Sequence, residues 1–378
     1  MRADRVGSCG EAMAEILVVG GGIAGLTFGA AAKRSGIEVS IVERLGTATS
    51  GAAGIGLHLN AQRALATIGL AAQVEAVAVP DGAFLVFDAG GRELANVDYE
   101  AVWGAPTWSV HRADLNAALK TGVRADQLRL GVGVTDARLV GDRVEVIFSD
   151  DSSRSYSLVV GADGVHSVVR ASVVGPGRER YGGACFWRTT LREAVVTRRT
   201  GFVHDGLTVG LSPLVRNRSH AFFQMRADEE LHDPVDGRAD RLRQRYQDMG
   251  PTVRKALDLL PRDEDIHFGV LEWVEPPTWG TGRAVLIGDA AHSMAPPLAL
   301  GGAMAIEDAI VLAEELANAS DLDVAIARFT ARREPRIAFV LERTRLTWAR
   351  GRREPTPGEP LDEDAFNRRN FAPLLDDP

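Results

Sequence analysis

Three short turns carry the residues of this chain best placed to do chemistry. The first, Gly20-Gly21-Gly22-Ile23-Ala24-Gly25, follows the apolar run Ile16-Leu17-Val18-Val19 and has glycine wherever a side chain would block a pyrophosphate. Gly20 permits the tight turn, Gly22 lets the backbone approach the phosphates, and Gly25 lets helix and strand pack closely. The helix beyond offers unpaired N–H groups and a positive dipole end to phosphate charge. A second strand then runs through Val42 to Glu43, close to the ~20-residue spacing at which a carboxylate accepts a hydrogen bond from a ribose hydroxyl. The glycines alone would be a weak signal. Strand, glycines, helix, strand and acid in that order describe a dinucleotide site.

The other two turns are Val159-Val160-Gly161-Ala162-Asp163-Gly164, with Ser167 and Arg170 following at helical spacing, and Leu286-Ile287-Gly288-Asp289-Ala290-Ala291-His292. Each delivers an aspartate to the carboxyl end of a buried strand, where open α/β sheets hold ligands. Taken singly, Asp163 and Asp289 also read as helix N-caps. After Asp289 comes Pro296-Pro297-Leu298-Ala299-Leu300-Gly301-Gly302-Ala303, a loop feeding a helix. An aspartate at such a strand end can accept from a ribityl hydroxyl, and the amides of Gly301, Gly302 and Ala303 can bind the electron-rich edge of a reduced isoalloxazine. Together the three turns select a flavin.

In this order the motifs resemble the single-component FAD-dependent aromatic hydroxylases, the para-hydroxybenzoate hydroxylase-like flavoprotein monooxygenases, over residues 15–350. The resemblance implies FAD as cofactor, NADH or NADPH as transient co-substrate, and hydroxylation of a small aromatic or polyketide-like substrate by O2 through a flavin C(4a)-hydroperoxide. It maps the FAD-contacting segment onto Asp163, Gly164 and Arg170, with a link to nicotinamide binding. Arg112, opening a helix after Val110-His111, is expected to reach the FAD phosphates, and Glu43, Arg44 and Asp289 complete the cofactor set. Tyr181 and Trp187-Arg188 are similar to a Tyr…Trp-Arg segment in the smaller relatives, so Trp187, Arg188 and Pro296 are the substrate candidates. One departure stands out. The family's Gly-Gln-Gly followed by Asn is replaced by Ala299-Leu300-Gly301, then Gly302 and Ala303. Rival readings are a flavin reductase or dehydrogenase of an isoprenoid or other apolar substrate, a halogenase (the Trp-x-Trp-x-Ile-Pro segment is missing), and a flavin-bound protein without turnover.

Other polar residues read as structural. His292 is expected to hydrogen-bond locally, and His58 either to face the flavin or to cap its loop. Glu307 and Asp308 suit a helix N-terminal dipole. Arg112 has Asp114 as an alternative partner, and Cys185 reads as buried packing.

The elements that must position these turns follow from hydrophobic period. Helical spacing covers Asn60–Ile68, a segment after His111, Ala303–Leu316, and Asp323 to beyond Arg345. Alternation marks strands at Arg143–Phe148 and Ser157–Val160, and a hairpin at Phe84–Leu94. Residues 175–275 lose the strand–helix alternation and carry β-type runs. The expected fold is therefore α/β: a Rossmann-like FAD-binding domain (residues 14–75, 105–175 and 276–350) with an inserted β-sheet substrate domain (76–104 and 176–275) and C-terminal helices. Residues 351–378, rich in proline and acid, are expected to form a flexible tail. The stretch Thr49–Gly56 reads as a small-residue loop.

Composition sets limits. The chain has 378 residues, 25% charged and 45% apolar, an ordinary globular balance. A net charge of −8 argues against nucleic-acid or anionic-membrane partners. The two cysteines, Cys9 and Cys185, form neither a disulfide framework nor a metal spacing. A cytoplasmic monomer or homodimer without metal is the expectation, and no apolar run approaches the ~20 residues of a membrane span.

Overall fold

The computed structural model describes residues 15–46, 54–228, 230–351, 356–360 and 362–378. Cys9, the possible start at Met13 and loop residues 49–53 lie outside these.

β-Branched runs build the central sheet. Ile16–Val19, Val39–Glu43, Leu158–Gly161 and Ala284–Leu286 pair in parallel, with Leu128–Leu130 at one edge and Gly280–Thr281 at the other. Strands covered on both faces need apolar residues at successive positions, which is what Ile16–Val19 and Leu158–Gly161 supply. Helix Ile23–Arg34 lies across the sheet. Its small residues allow close approach: a Cβ on Gly29 would stand 2.6 Å from Ile41 Cδ1. Helix Gly301–Asn318 packs against it, and the 30-residue helix Leu322–Gly351 packs outside that.

A seven-stranded sheet forms the second layer. Its order is His267–Val274, Glu179–Leu191, Arg218–Arg226, Leu207–Leu214, Arg199–His204, Ala83–Asp88, Glu93–Asp98. Helices Arg238–Tyr246 and Pro251–Asp258 cover its outer face. A three-stranded sheet joins the layers: Gly54–Leu57 and Ala78–Asp81 flank Thr107–His111. Part of the expected small-residue loop is thus strand, because Ile55 and Leu57 pair with Val110 and Trp108. Among the described residues, no helix is long and apolar enough to cross a membrane.

The tail corrects the sequence expectation. Residues 363–371 form the helix Glu363–Phe371, capped by the Asp362 carboxylate on the Ala365 amide at 2.8 Å. Phe366, Phe371 and Leu374 are almost fully buried, and Phe371 touches the rings of His58 and Trp103. Proline and acid punctuate this segment, but its three apolar residues supply enough surface to dock it.

Candidate functional site

The three turns meet. Strands Leu158–Gly161 and Ala284–Leu286 are direct neighbours in the sheet, and the Ile287 amide donates to Gly161 O at 3.0 Å. Gly20 has φ +108°, and a Cβ there would lie 2.4 Å from Ala162 O. A Cβ on Gly25 would lie 1.9 Å from Gly20 O, and one on Gly288 would lie 3.0 Å from Ala305 Cβ and 3.3 Å from Ala24 Cβ. The first glycine therefore packs the phosphate turn onto the segment holding Asp163, while Gly288 packs the third turn between two helices. Asp163 and Asp289 leave neighbouring parallel strands at the same end.

Within this junction the candidates divide. Gly22 caps helix Ile23–Arg34 without a side-chain hydrogen bond, and a Cβ there would meet nothing within 4 Å. The helix start thus opens onto space with free amides and no acid in its first turn. Helix Gly301–Asn318 begins likewise, with Leu300 as an N-cap lacking any side-chain bond, no acidic residue in the first turn, and Ala299 in the left-handed region at φ +53°. Asp289 is exposed at its turn, and Pro296 is exposed in the loop before Gly301. Gly302 faces Ile55, whose Cδ1 would be 2.5 Å from an added Cβ, while the Ala303 side chain is buried in the core. Arg44 is exposed beside Glu43. Glu43 accepts the Gly21 amide at 2.8 Å and the Leu45 amide at 2.9 Å, fixing the phosphate turn to the end of the second strand.

Asp163 is engaged within its own loop. Its carboxylate accepts from Ser167 Oγ at 2.6 Å and from the amides of Val168 and Val169 at 2.7 and 3.2 Å. It closes its own loop as a helix cap; burial pushes its carboxyl up, against those same hydrogen bonds. Arg170 is buried and reaches Ala290 O at 2.8 Å, Val165 O and Glu179. It braces the second turn to the third.

Trp187 is a further correction. Its side chain is 1% exposed in the core on the outer face of the large sheet, and its indole Nε1 donates to Asp233 at 2.8 Å. Side chains alternate along a strand, so Arg188 takes the other face. There Arg188 lies 4.5 Å over the Phe186 ring, and Phe186 stacks on Phe222 at 5.8 Å. Glycines make room for these rings: a Cβ on Gly269 would lie 2.8 Å from Phe186 Cζ, and one on Gly201 would lie 3.0 Å from Phe84 Cζ. Phe84, Phe186 and Phe222 form an aromatic floor that the sequence expectations did not include. The signal was present in the period-two pattern of the strand.

This inner face looks onto the third turn and the start of helix Arg112–Lys120. His111 Nε2 and Thr190 Oγ1 are 3.1 Å apart across the interface. Burial lowers the Arg188 guanidinium to about 10, with the positive charge of Arg112 adding to the effect and the carboxylate of Asp289 opposing it. Arg112, Arg188 and Asp289 come from three separate elements and share one electrostatic neighbourhood. Asp114, the alternative partner for Arg112, pairs instead with Arg218 at 2.8 Å. Among the described residues, the Nε atoms of both Arg112 and Arg188 are buried without a hydrogen-bond partner. Among the described residues neither guanidinium is paired with a carboxylate, an arrangement suited to an anionic ligand.

The remaining polar residues hold the site in place. His58 is fully buried, donating from Nε2 to Leu298 O at 3.0 Å and accepting at Nδ1 from Thr107 Oγ1 at 2.8 Å, with Trp103 stacked at 5.3 Å. It belongs to the core and does not face the cleft. Glu307 and Asp308 are also fully buried rather than at an exposed helix end. Arg333 donates to Glu307 at 2.7 Å and to Asp308 at 2.8 Å, while Asp308 also accepts from His292 at 2.6 Å and from the Gly288 amide at 2.9 Å. Burial alone would raise Asp308; His292, Arg333 and the Gly288 amide outweigh it and hold the carboxyl at about 2. Cys185 is buried, and burial pushes its thiol up to about 11, as expected for packing rather than reactivity.

The chain resembles known proteins in both sequence and fold. The family described as FAD binding domain matches residues 13–344. The chain is 33% identical over 327 residues to the aurachin C monooxygenase/isomerase of Stigmatella aurantiaca, covering 85% of each. It is 32% identical over 348 residues to a 3-amino-4-hydroxybenzoate 2-monooxygenase of Streptomyces platensis, covering 87% of this chain and 86% of the relative. The structure of Klebsiella pneumoniae HpxO complexed with FAD and uric acid matches with a TM-score of 0.81 at 26% identity, covering 96% of this chain and 92% of that one.

Proposed function

This chain belongs to the single-component FAD-dependent aromatic hydroxylases, and from that membership we propose that it uses NADH or NADPH and O2 to hydroxylate a small aromatic or polyketide-like substrate in the cleft between the three turns and the large sheet. The observation that carries this is the convergence of the turns at Gly20, Ala162 and Gly288 with two neighbouring helix starts that lack a side-chain cap. FAD fits the residues present. The open space at Gly22 admits a pyrophosphate, the exposed Asp289 is free to accept a ribityl hydroxyl, and the unpartnered Arg112 Nε suits phosphate.

When bound, FAD supplies two-electron chemistry, accepting hydride from the nicotinamide and delivering electrons to dioxygen so that one oxygen atom reaches the substrate. The protein's part is to bind, orient and exclude water. Gly20, Gly22, Gly25 and the start of helix Ile23–Arg34 would hold the phosphates. Glu43 would face the ribose while keeping Gly21 in place, and Arg44 would lie at the rim. Gly301, Gly302 and Ala303 would present first-turn amides to negative charge on the reduced ring, an interaction strengthened in a low-dielectric cleft. These amides would also do what the family's Gln and Asn would otherwise share. Asp163 would act at one remove, by fixing the second turn. Phe84, Phe186 and Phe222 would form an apolar floor that keeps water from the reacting atoms, and Pro296 would border it.

A cytoplasmic monomer or homodimer suits an enzyme drawing on free nicotinamide cofactor. The test is NAD(P)H oxidation by the purified FAD-loaded protein, with and without O2 and a panel of phenols and N-heterocycles. Oxygen-dependent, substrate-stimulated consumption is expected. Turnover under argon would favour a reductase and overturn the reading.

A further inference from the structure

The loop Pro296-Pro297-Leu298-Ala299-Leu300 enters helix Gly301–Asn318 with no side chain able to hydrogen-bond. Its shape must therefore be held through its backbone. Ala299 stands at φ +53°, where an L residue is strained and persists only if its surroundings fix it. Both polar groups of the Leu298–Ala299 peptide are tied. The Ala299 amide donates to Pro296 O at 2.8 Å, and Leu298 O accepts from His58 Nε2 at 3.0 Å. Because a peptide is planar, these two bonds fix the orientation of the unit on which the φ of Ala299 depends. Leu298 O can only accept, so the ring proton of His58 sits on Nε2, and Nδ1 accepts from Thr107 Oγ1 at 2.8 Å. The rings of Tyr99, Trp103 and Phe371 hold the imidazole at 5.1, 5.3 and 5.4 Å. The same segment meets helix Gly301–Asn318 twice more, through Ile55 against Gly302 and through Asn60 donating to Glu307 at 2.8 Å.

We propose that His58 is a positioning residue of the cofactor site: by holding the Leu298–Ala299 peptide it aims the amides of Gly301, Gly302 and Ala303 at the flavin ring. The inference rests on the placement of the ring at that helix start, proposed above, and adds the residue that keeps the helix start in place. The task falls to a side chain 240 positions away in the chain, since the loop carries neither the Gln nor the Asn of the family pattern. Aimed amides favour the reduced ring over the oxidised one, because the reduced ring carries the negative charge. A helix start that drifts should therefore weaken reduced FAD more than oxidised FAD and lower the reduction potential of the bound cofactor.

Two amide substitutions separate the contacts of the imidazole. His58→Gln puts an N–H donor where Nε2 stood and keeps the bond to Leu298 O. His58→Asn reaches only as far as Nδ1 and keeps Thr107. Both lose the aromatic stack and share its structural cost. In the FAD-loaded proteins, His58→Asn should weaken reduced FAD about tenfold more than oxidised FAD, the scale of one hydrogen bond to a charged group. For two electrons that is a potential lower by ~30 mV. His58→Gln should keep the wild-type potential. In the FAD-free proteins, hydrogen exchange at the Ala299 amide should speed up in His58→Asn and not in His58→Gln. An equal shift of potential in both variants, or in neither, overturns the proposal. Faster exchange at Ala299 with an unchanged potential overturns it too, because the loop would then be held without serving the ring. If His58→Asn does not fold, the wild-type protein still decides: nitrogen NMR should find His58 as the Nε2–H tautomer, and an Nδ1–H tautomer overturns the bond to Leu298 O. Oxygen-dependent NAD(P)H oxidation tests the monooxygenase reading separately, so the expected potentials without oxygen consumption would retain His58 and sink the oxygenase.

Discussion

A side chain at Gly20 would collide with the carbonyl oxygen of Ala162: the Cβ would stand 2.4 Å from that atom. Two motifs separated by most of the first half of the chain are thus packed without a side chain between them. Gly20→Ala adds this clash to a backbone at φ +108°, which L residues rarely adopt. The variant should purify largely without FAD and with a lowered melting temperature. A yellow G20A protein of wild-type stability would contradict the packing.

Arg170 ties the second turn to the third through Ala290 O while reaching Glu179. Arg170→Met should leave that carbonyl and that carboxylate without their donor. A loss of about 1–3 kcal/mol is expected for leaving the buried Ala290 carbonyl without its donor, together with weaker FAD retention on dilution. Urea unfolding and flavin fluorescence measure the two effects.

Arg333 is enclosed with Glu307 and Asp308, all three fully buried. Arg333→Leu should destabilise the protein by about 3–5 kcal/mol, because two carboxylates lose their shared cation. Asp308→Asn gives a pH signature. A carboxyl held at about 2 in the fold and at its ordinary 3.8 when unfolded stabilises the fold above pH 4 and loses that contribution as pH falls through 2. The stability gap between wild type and D308N should therefore be constant above pH 5 and narrow below pH 4. A gap independent of pH down to 2 would exclude this ion pair as its source.

His58 and His220 are both held near 3 by burial, reinforced by nearby arginine charge. Each stays neutral in the fold but takes a proton near pH 6.5 when unfolded. Stability is therefore full above pH 6.5 and falls as the solution is acidified towards 3, with a slope of up to about 1.4 kcal/mol per pH unit per histidine. His58→Gln should remove one histidine's share of that slope between pH 6.5 and 5, whatever it does to stability at pH 7. Denaturant midpoints across that range provide the comparison.

Ending the chain after Pro360 removes Phe366, Phe371 and Leu374 from the core and uncovers Trp103 and His58. A loss of several kcal/mol is expected, at roughly 1.5–3 kcal/mol per large apolar side chain. A truncated protein as stable as the full chain would show that the helix Glu363–Phe371 contributes nothing to the core.

Much of the architecture was legible in local pattern. β-Branched runs ending in Gly20, Asp163 and Asp289 identified buried parallel strands and their ligand-bearing ends, because strands covered on both faces need continuous apolar residues. Glycine spacing announced the phosphate turn, since only glycine tolerates the contacts made at Gly20 and Gly25. Period two also separated Trp187 from Arg188, although grouping the two as substrate residues overlooked it.

Local pattern dictates the set of strand–turn–helix units and the kind of ligand their ends can hold, because hydrophobic period and glycine conformation act within a few residues. Long-range packing settles which polar groups are left free for that ligand. Asp163 is consumed by its own helix, Arg170 by the neighbouring turn, and His58, Glu307 and Asp308 by the core. Asp289 stays exposed, while the Nε atoms of Arg112 and Arg188 remain unpartnered among the described residues. Hydrogen bonds and charges are satisfied by whatever the fold brings near, from any distance along the chain, so a side chain's availability is a property of packing and not of spacing.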